Sequence, residues 1–435
     1  MRKFLLHSLF AVFLTANITK WYATIGSDVR IYYNHAALLL WIALAAPYLR
    51  SLRFQVPFKI KLLLLLRGLF ICAVIIGIPT LQTEFEGPVL LTYVKAVVVA
   101  LLEGSGLLLM LLFVTKLQPA ERQTIVNLYL ATIAFTLTCT LLQGWLIYYL
   151  NVDLDGVIAT HLPFWNDSIP NIQDEVFGLS SGTYYRLSGL TGDPNLNGMI
   201  MLVALPLVFY KAFEHGNQVY ILMLFLLIWA IVLTISNAAI LISLPVLILM
   251  ILRYRNRIRR IKLIFGIVIL GLIALMLSKY SSEIQECIAW KLDKHGTFSS
   301  HEDIANEALS IWHEHPWGVG ANSYPRYSQE FSAHNSYLQS LVELGPLGLL
   351  LGLGWCLVGI VLCWRVRDDL GYAIMVAIGA LALGALGHDV LNRYEFQMPL
   401  NLLVAIAILN HRDFLHAIKP NPEQLTHLQP PVSTS

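Results

Sequence analysis

The chain has 435 residues, 57% of them hydrophobic and 13% charged, with a formal net charge of +2. Its mean hydropathy is +0.65, and apolar runs recur near the roughly 20 residues that cross a bilayer as a helix. This excludes a soluble globular protein in favour of a polytopic helical membrane protein, and nothing in the charge pattern points to nucleic acid.

Twelve apolar segments follow one another, near 4–24, 31–49, 62–82, 90–114, 123–149, 193–210, 219–235, 238–252, 263–278, 336–363, 371–387 and 400–410. The first is not followed by a small-residue cleavage site and reads as an uncleaved span. With the N-terminus inside, the inner connections collect Arg2, Lys3, Arg50, Arg53, Lys59, Lys61, Lys116, Arg122, Lys211, the run 253–262, Arg365, Arg367, Arg412 and Lys419. Lys and Arg near span ends set orientation, so both termini are predicted to be cytoplasmic. The basic run 253–262 has no aromatic interleaving beyond Tyr254 and reads as a topology anchor against anionic lipid. Charges inside spans are costly, so Arg67, Lys95, Glu103 and Glu343 should face a cavity, pair or lie near an interface. Arg67 lies only about 7.5 Å along a span that begins at Leu62 and is expected to snorkel inward.

Two outer connections are long, 150–192 and 279–335. In the second, the apolar spacing through Ile304, Ala308, Leu309 and Trp312 suits a surface helix, which Pro316 and Gly318 should end. Asp153 and Asp155 form a short acidic pattern too weak to imply a metal, and His295, His301, His313 and His315 read as solvated loop histidines. Four of the five cysteines fall inside spans, leaving Cys287 alone outside, so neither a disulfide framework nor a metal site is expected. The tail 420–435, rich in Pro, Gln, Thr and Ser, is predicted to be disordered and cytoplasmic, leaving 1–419 as a single helical domain.

Three motifs carry the chemistry. Arg186 opens Arg186 Leu187 Ser188 Gly189 Leu190 Thr191 Gly192 Asp193 Pro194 Asn195 just before a span. Its planar fork, always ionised, suits a diphosphate, although position alone also suits an interface anchor. Pro316 Trp317 Gly318 Val319 Gly320 is followed after thirteen residues by His334 Asn335 Ser336 Tyr337, then by Glu343 Leu344 Gly345 Pro346 Leu347 Gly348. In order and spacing these resemble the O-antigen ligase and polymerase family, with its Arg-x-x-Gly-x-x-x-x-Pro-Asn-like motif, its Pro-x-x-Gly-x-Gly turn and its His before a Glu-x-Gly-x-x-Gly span. The resemblance covers roughly residues 186–350 by motif and the whole chain by span pattern. Two positions depart from it: Thr234 Ile235 Ser236 Asn237 stands where many relatives have Thr-x-Ser-Arg, and His301 with Ala305 where many have Arg and Trp.

The resemblance implies a glycosyltransferase-C-like bundle of about twelve helices in the bacterial inner membrane, with 150–192 and 279–335 periplasmic. It implies transfer of a glycan from an undecaprenyl diphosphate donor to lipid A core on the periplasmic face, with no metal and no cofactor. It nominates His334 and Arg186 as catalytic; Arg326 and Arg30 follow Arg186 as outer cations for the diphosphate. The chemistry is compatible. The periplasm lacks nucleotide sugars, so the donor must be activated before export, and cations stabilise the charge that builds on its diphosphate. A histidine can take the proton of the acceptor hydroxyl, giving inversion by direct displacement. The same features leave a polymerase, using a second lipid-linked unit as acceptor, and a non-enzymatic lipid-linked glycan transporter as alternatives. Asp389 and Arg393, on the last outer connection, could face the same cavity.

Overall fold

The computed structural model describes residues 1–17, 22–25, 29–50, 56–76, 87–150, 177–179, 182–184, 186–214, 217–257, 298–328, 332–391 and 393–418. In chain order these form α1 (Arg2–Ala16), the antiparallel hairpin β1 (Tyr22–Ile25) and β2 (Val29–Tyr32), α2 (Tyr33–Arg50), α3 (Phe58–Ile76), α4 (Gly87–Val114) and α5 (Pro119–Leu150). A second hairpin, β3 (Phe177–Leu179) with β4 (Gly182–Tyr184), precedes α6 (Pro194–Glu214), α7 (Gln218–Leu233), α8 (Asn237–Tyr254) and α9 (Phe298–Glu314). A 3-10 turn (Tyr324–Arg326) leads to α10 (Ser336–Val366), α11 (Asp369–Gly384) and α12 (Tyr394–Ile418).

The protein is a helical membrane protein. Among the described residues five helical stretches are long and apolar enough to cross a bilayer: Val94–Val114, Pro119–Ile147, Pro194–Glu214, Asn237–Tyr254 and Ser336–Val366. The shorter α7 and α11 are equally apolar in character. The expected segment 263–278 and the tail 420–435 lie outside the described residues. The first expected span, 4–24, is corrected: its helix stops at Ala16, and the β1 strand begins at Tyr22.

α6 is the central helix. It is buried from Met199 to Phe213 without interruption and is packed by α5, α7, α8 and α11. α6 meets other helices on every side and so keeps no solvent or lipid face. α8 is the opposite case, exposing Leu241, Leu244, Ile248, Leu249 and Leu252, as a lipid-facing helix does.

α10 is two helices in series. Gly345 breaks it with φ 67° and ψ −165°, immediately before Pro346, whose ring cannot continue the hydrogen-bond ladder. Beyond the break, Leu347, Leu350, Leu353, Leu357, Val361 and Trp364 form an exposed stripe at helical spacing. The stretch 346–366 is about 31 Å long at 1.5 Å per residue, close to the thickness of a bilayer's hydrocarbon core.

The bundle has two chemically different ends. At one, the basic end, Arg2 pairs with Glu121, Arg122 with Asp413 at 2.7 Å, and Arg253 and Arg257 with Asp369 at 3.0 and 2.7 Å. The other end gathers the starts of α2, α6, α8, α10 and α12 and the ends of α7 and α11.

Candidate active site

The Arg186 segment is a tight turn fastened to three helices. Gly189 and Gly192, with φ 56° and 76°, supply the left-handed conformations that reverse the chain before α6. The Gly189 N–H donates to Gln143 Oε1 of α5 at 2.8 Å, and Asn197 Nδ2 donates to the Leu187 carbonyl at 3.2 Å. Asp193 then caps α6, its Oδ1 accepting from the N–H of Asn195 at 2.8 Å, with Pro194 opening the helix. Within this frame the half-buried Arg186 donates from Nε to the Thr234 carbonyl at 3.2 Å and from Nη2 to Asn195 Oδ1 at 2.5 Å. Its guanidinium thus bridges the start of α6 and the elbow between α7 and α8. That elbow is the Thr234–Asn237 segment, turned by Ile235 at φ 50°.

His334 stands at the start of α10. Its side chain is exposed and its backbone is left-handed, φ 49°, with its N–H donating to Ser332 Oγ at 3.0 Å. Asn335 caps the helix, accepting from the N–H groups of Tyr337 and Leu338. Ser336 anchors the other side. Its N–H donates to the Ala385 carbonyl, and its Oγ donates to the His388 carbonyl while accepting from the N–H groups of Val390 and Leu391, all within 3.0 Å. The helix bearing His334 is therefore fixed to the loop between α11 and α12.

The Pro-Gly turn closes against the broken part of α10. α9 ends at Glu314, as Pro316 and Gly318 predict, and the Trp312 indole N–H donates to the Pro316 carbonyl at 3.3 Å. Val319 and Gly320 then donate their N–H groups to the carbonyls of Val342 and Glu343, each at 2.8 Å, taking over acceptors freed where α10 breaks. Contact here is backbone on backbone: a Cβ on Gly318 would lie 2.5 Å from the Glu343 carbonyl oxygen, and one on Gly345 2.7 Å from that of Trp317. The two glycine motifs are halves of one joint. The turn that follows it presents Arg326, exposed, and is tied to α9 by Ser328 Oγ donating to Glu307 Oε2 at 2.8 Å.

Arg186 and His334 lie at the same end of the bundle. From Arg186 the path runs through Thr234 to the start of α8, where a Cβ on Gly387 would stand 3.9 Å from that of Ala238, then through the His388 carbonyl to Ser336. Arg30 is in β2, opposite Thr24, in the hairpin that leads into α2 at that same end. Asp389 and Arg393 belong to the loop that holds Ser336, with Arg393 Nε donating to the Asp389 carbonyl at 2.7 Å.

Arg67 departs from its expected inward snorkelling. α3 begins at Phe58, which puts Arg67 about 13.5 Å along it, and the guanidinium turns sideways. It donates to Gln397 Oε1 at 2.7 Å and to Glu103 Oε2 at 3.0 Å, with His35 Nε2 3.5 Å from Glu103 Oε1. Gln397 in turn donates to the Leu391 carbonyl at 2.9 Å, so the pair adjoins the loop that holds Ser336. Among the described residues no three His, Cys, Asp or Glu side chains are grouped to hold a metal ion. The His315 ring meets Tyr327 edge-on at 5.1 Å, His313 is exposed, and Asp153, Asp155 and His295 lie outside the described residues. Gln143, Gln339 and Gln397 were not singled out by the sequence, whose only hint was a neutral polar residue inside an apolar run.

The sequence model of the O-antigen ligase family matches residues 222–353. The family that the motifs resemble is thus the family that matches. The matched segment holds most of α7, the elbow, α8, the Pro-Gly turn, His334 and the Gly345 break; Arg186 and the 385–391 loop lie outside it. No curated protein matches the chain. Over this segment the chain, a helical membrane protein, is similar to the O-antigen ligase family.

Proposed function

We propose that the protein is an inverting, metal-independent O-antigen ligase that moves a glycan from undecaprenyl diphosphate to lipid A core at the periplasmic face of the inner membrane. In this reading twelve spans form one domain with cytoplasmic termini, and the end bearing His334 faces outward. His334 accepts the proton of the attacking acceptor hydroxyl as its oxygen bonds to the anomeric carbon. The bond from that carbon to the diphosphate breaks, and its electron pair leaves on the undecaprenyl diphosphate. Arg186, with Arg326 and Arg30 behind it, offsets the charge that collects there.

The observation that carries this reading is the common end shared by Arg186 and His334, joined through the family-matched elbow. The test uses purified full-length protein with an undecaprenyl diphosphate-linked oligosaccharide, offering lipid A core and a second lipid-linked unit in separate reactions. Glycosylated lipid A core is expected, and His334→Ala should lower the rate about 10²- to 10⁴-fold, the usual worth of a positioned base. Extension of the second lipid-linked unit instead makes the protein a polymerase. Full transfer by a correctly inserted His334→Ala protein removes the base assignment.

A further inference from the structure

Glu343 is 9% exposed and Gln339, one turn before it, 7%. Glu343 Oε1 accepts from Gln339 Nε2 at 2.6 Å and from the Tyr324 N–H at 3.4 Å, while Gln339 Oε1 accepts from the Ala333 N–H at 2.8 Å. Ala333 is the residue before His334, and Tyr324 opens the turn that ends in Arg326. One carboxylate oxygen and one amide therefore hold both arms, while the Glu343 carbonyl holds Gly320. An apolar residue would fill the same buried space without desolvation cost, but only an acceptor can take these donors. Left-handed backbone is strained at a residue other than glycine, so the φ of 49° at His334 has to be imposed by its neighbours. The Gln339 bond to Ala333 on one side and the Ser336 bonds on the other are placed to impose it.

We propose that Glu343, acting through Gln339, is a positioning residue that fixes the His334 loop and the Arg326 turn relative to each other. The proposal rests on the reading of His334 as the base. Glu343 acts as a hydrogen-bond acceptor, and no proton passes through it.

The test compares Glu343→Ala, Glu343→Gln, Gln339→Ala and His334→Ala in the full-length protein reconstituted in vesicles. Trypsin cleavage after the exposed Arg326, read by mass spectrometry, reports the turn without any substrate. Glu343→Ala should speed it about tenfold, as local opening becomes easier. Glu343→Gln, which keeps an oxygen acceptor, should stay within about threefold. With an undecaprenyl diphosphate-linked oligosaccharide and lipid A core, kcat should fall about 100-fold in Glu343→Ala and Gln339→Ala. Donor KM should hardly move, and a protein carrying both Glu343→Ala and Gln339→Ala should be no worse than the poorer single variant. Glu343→Gln should recover most of the activity with an unaltered pH profile. Loss in Glu343→Gln as deep as in Glu343→Ala, with a shifted pH profile, overturns the proposal, as do unchanged cleavage and kcat in Glu343→Ala and Gln339→Ala. If Glu343→Ala does not insert, Gln339→Ala decides, since it leaves the carboxylate in place. An active His334→Ala protein overturns the function proposed above and this role with it. Inactive His334→Ala beside unaffected Glu343→Ala and Gln339→Ala overturns this inference alone.

Discussion

Arg186 spends Nε on a main-chain carbonyl of one helix pair and Nη2 on the side chain of the helix that follows it. A lysine ammonium is a point donor on a flexible stem and cannot span two acceptors set by a planar fork. Arg186→Lys should therefore keep the charge but lose about tenfold or more in kcat/KM for the donor, the loss expected when a charge-assisted bond is misaligned. Steady-state kinetics against the parent protein measure it, and an unchanged value would argue that Arg186 only anchors the turn. Arg186 and His334 were nominated by the resemblance of their motifs, and in the fold each sits beside residues with a local role: glycines that turn the chain before Pro194, and an Asn cap before Ser336. Gln339 and Gln143 were not readable, because an amide's role depends on which backbone group a distant segment brings to it, here Ala333 and Gly189.

At the scale of elements, the joint between the Pro-Gly turn and the α10 break rests on two glycines with φ of 95° and 67°. Gly318→Ala adds left-handed strain and a Cβ driven into the Glu343 carbonyl, which together should destabilise the protein by about 2–5 kcal/mol. Thermal unfolding in detergent checks this, and a neutral result would mean that the turn can swing away from α10. The intramembrane charges obey a different rule. Arg67 and Glu103 form a part-buried pair, with side chains 9% and 12% exposed, between α3 and α4. Arg67→Met takes the guanidinium from the Glu103 carboxylate and should cost about 3–5 kcal/mol, whereas Arg67→Met with Glu103→Leu removes both charges and should recover most of that loss. Unfolding of the three variants against the parent decides it. Hydropathy located α3 but gave no azimuth. The facing of Arg67 toward Gln397 follows from the packing of α3, α4 and α12 around it.

For the whole molecule, the segregation of charge between the two ends ties architecture to function. Arg2, Arg122, Arg253 and Arg257 all find acidic partners at one end, and the Pro-Gly joint, His334 and Arg186 occupy the other. The exposed apolar stripe of α10 runs from Leu347 to Trp364, and in a bilayer the Gly345 break should therefore lie at one membrane boundary with His334 beyond it. Positive residues are retained on the cytoplasmic side, so that boundary should be the outer one. In a background with the five native cysteines replaced, single cysteines at Asn322 and Arg257, both exposed, report the two ends. A membrane-impermeant maleimide applied to intact cells should label Asn322→Cys and spare Arg257→Cys until the cells are lysed. The reverse pattern would put His334 in the cytoplasm, where nucleotide sugars are available and a diphosphate-lipid donor loses its chemical rationale. The two labelling sites therefore test orientation and the choice of donor in one measurement.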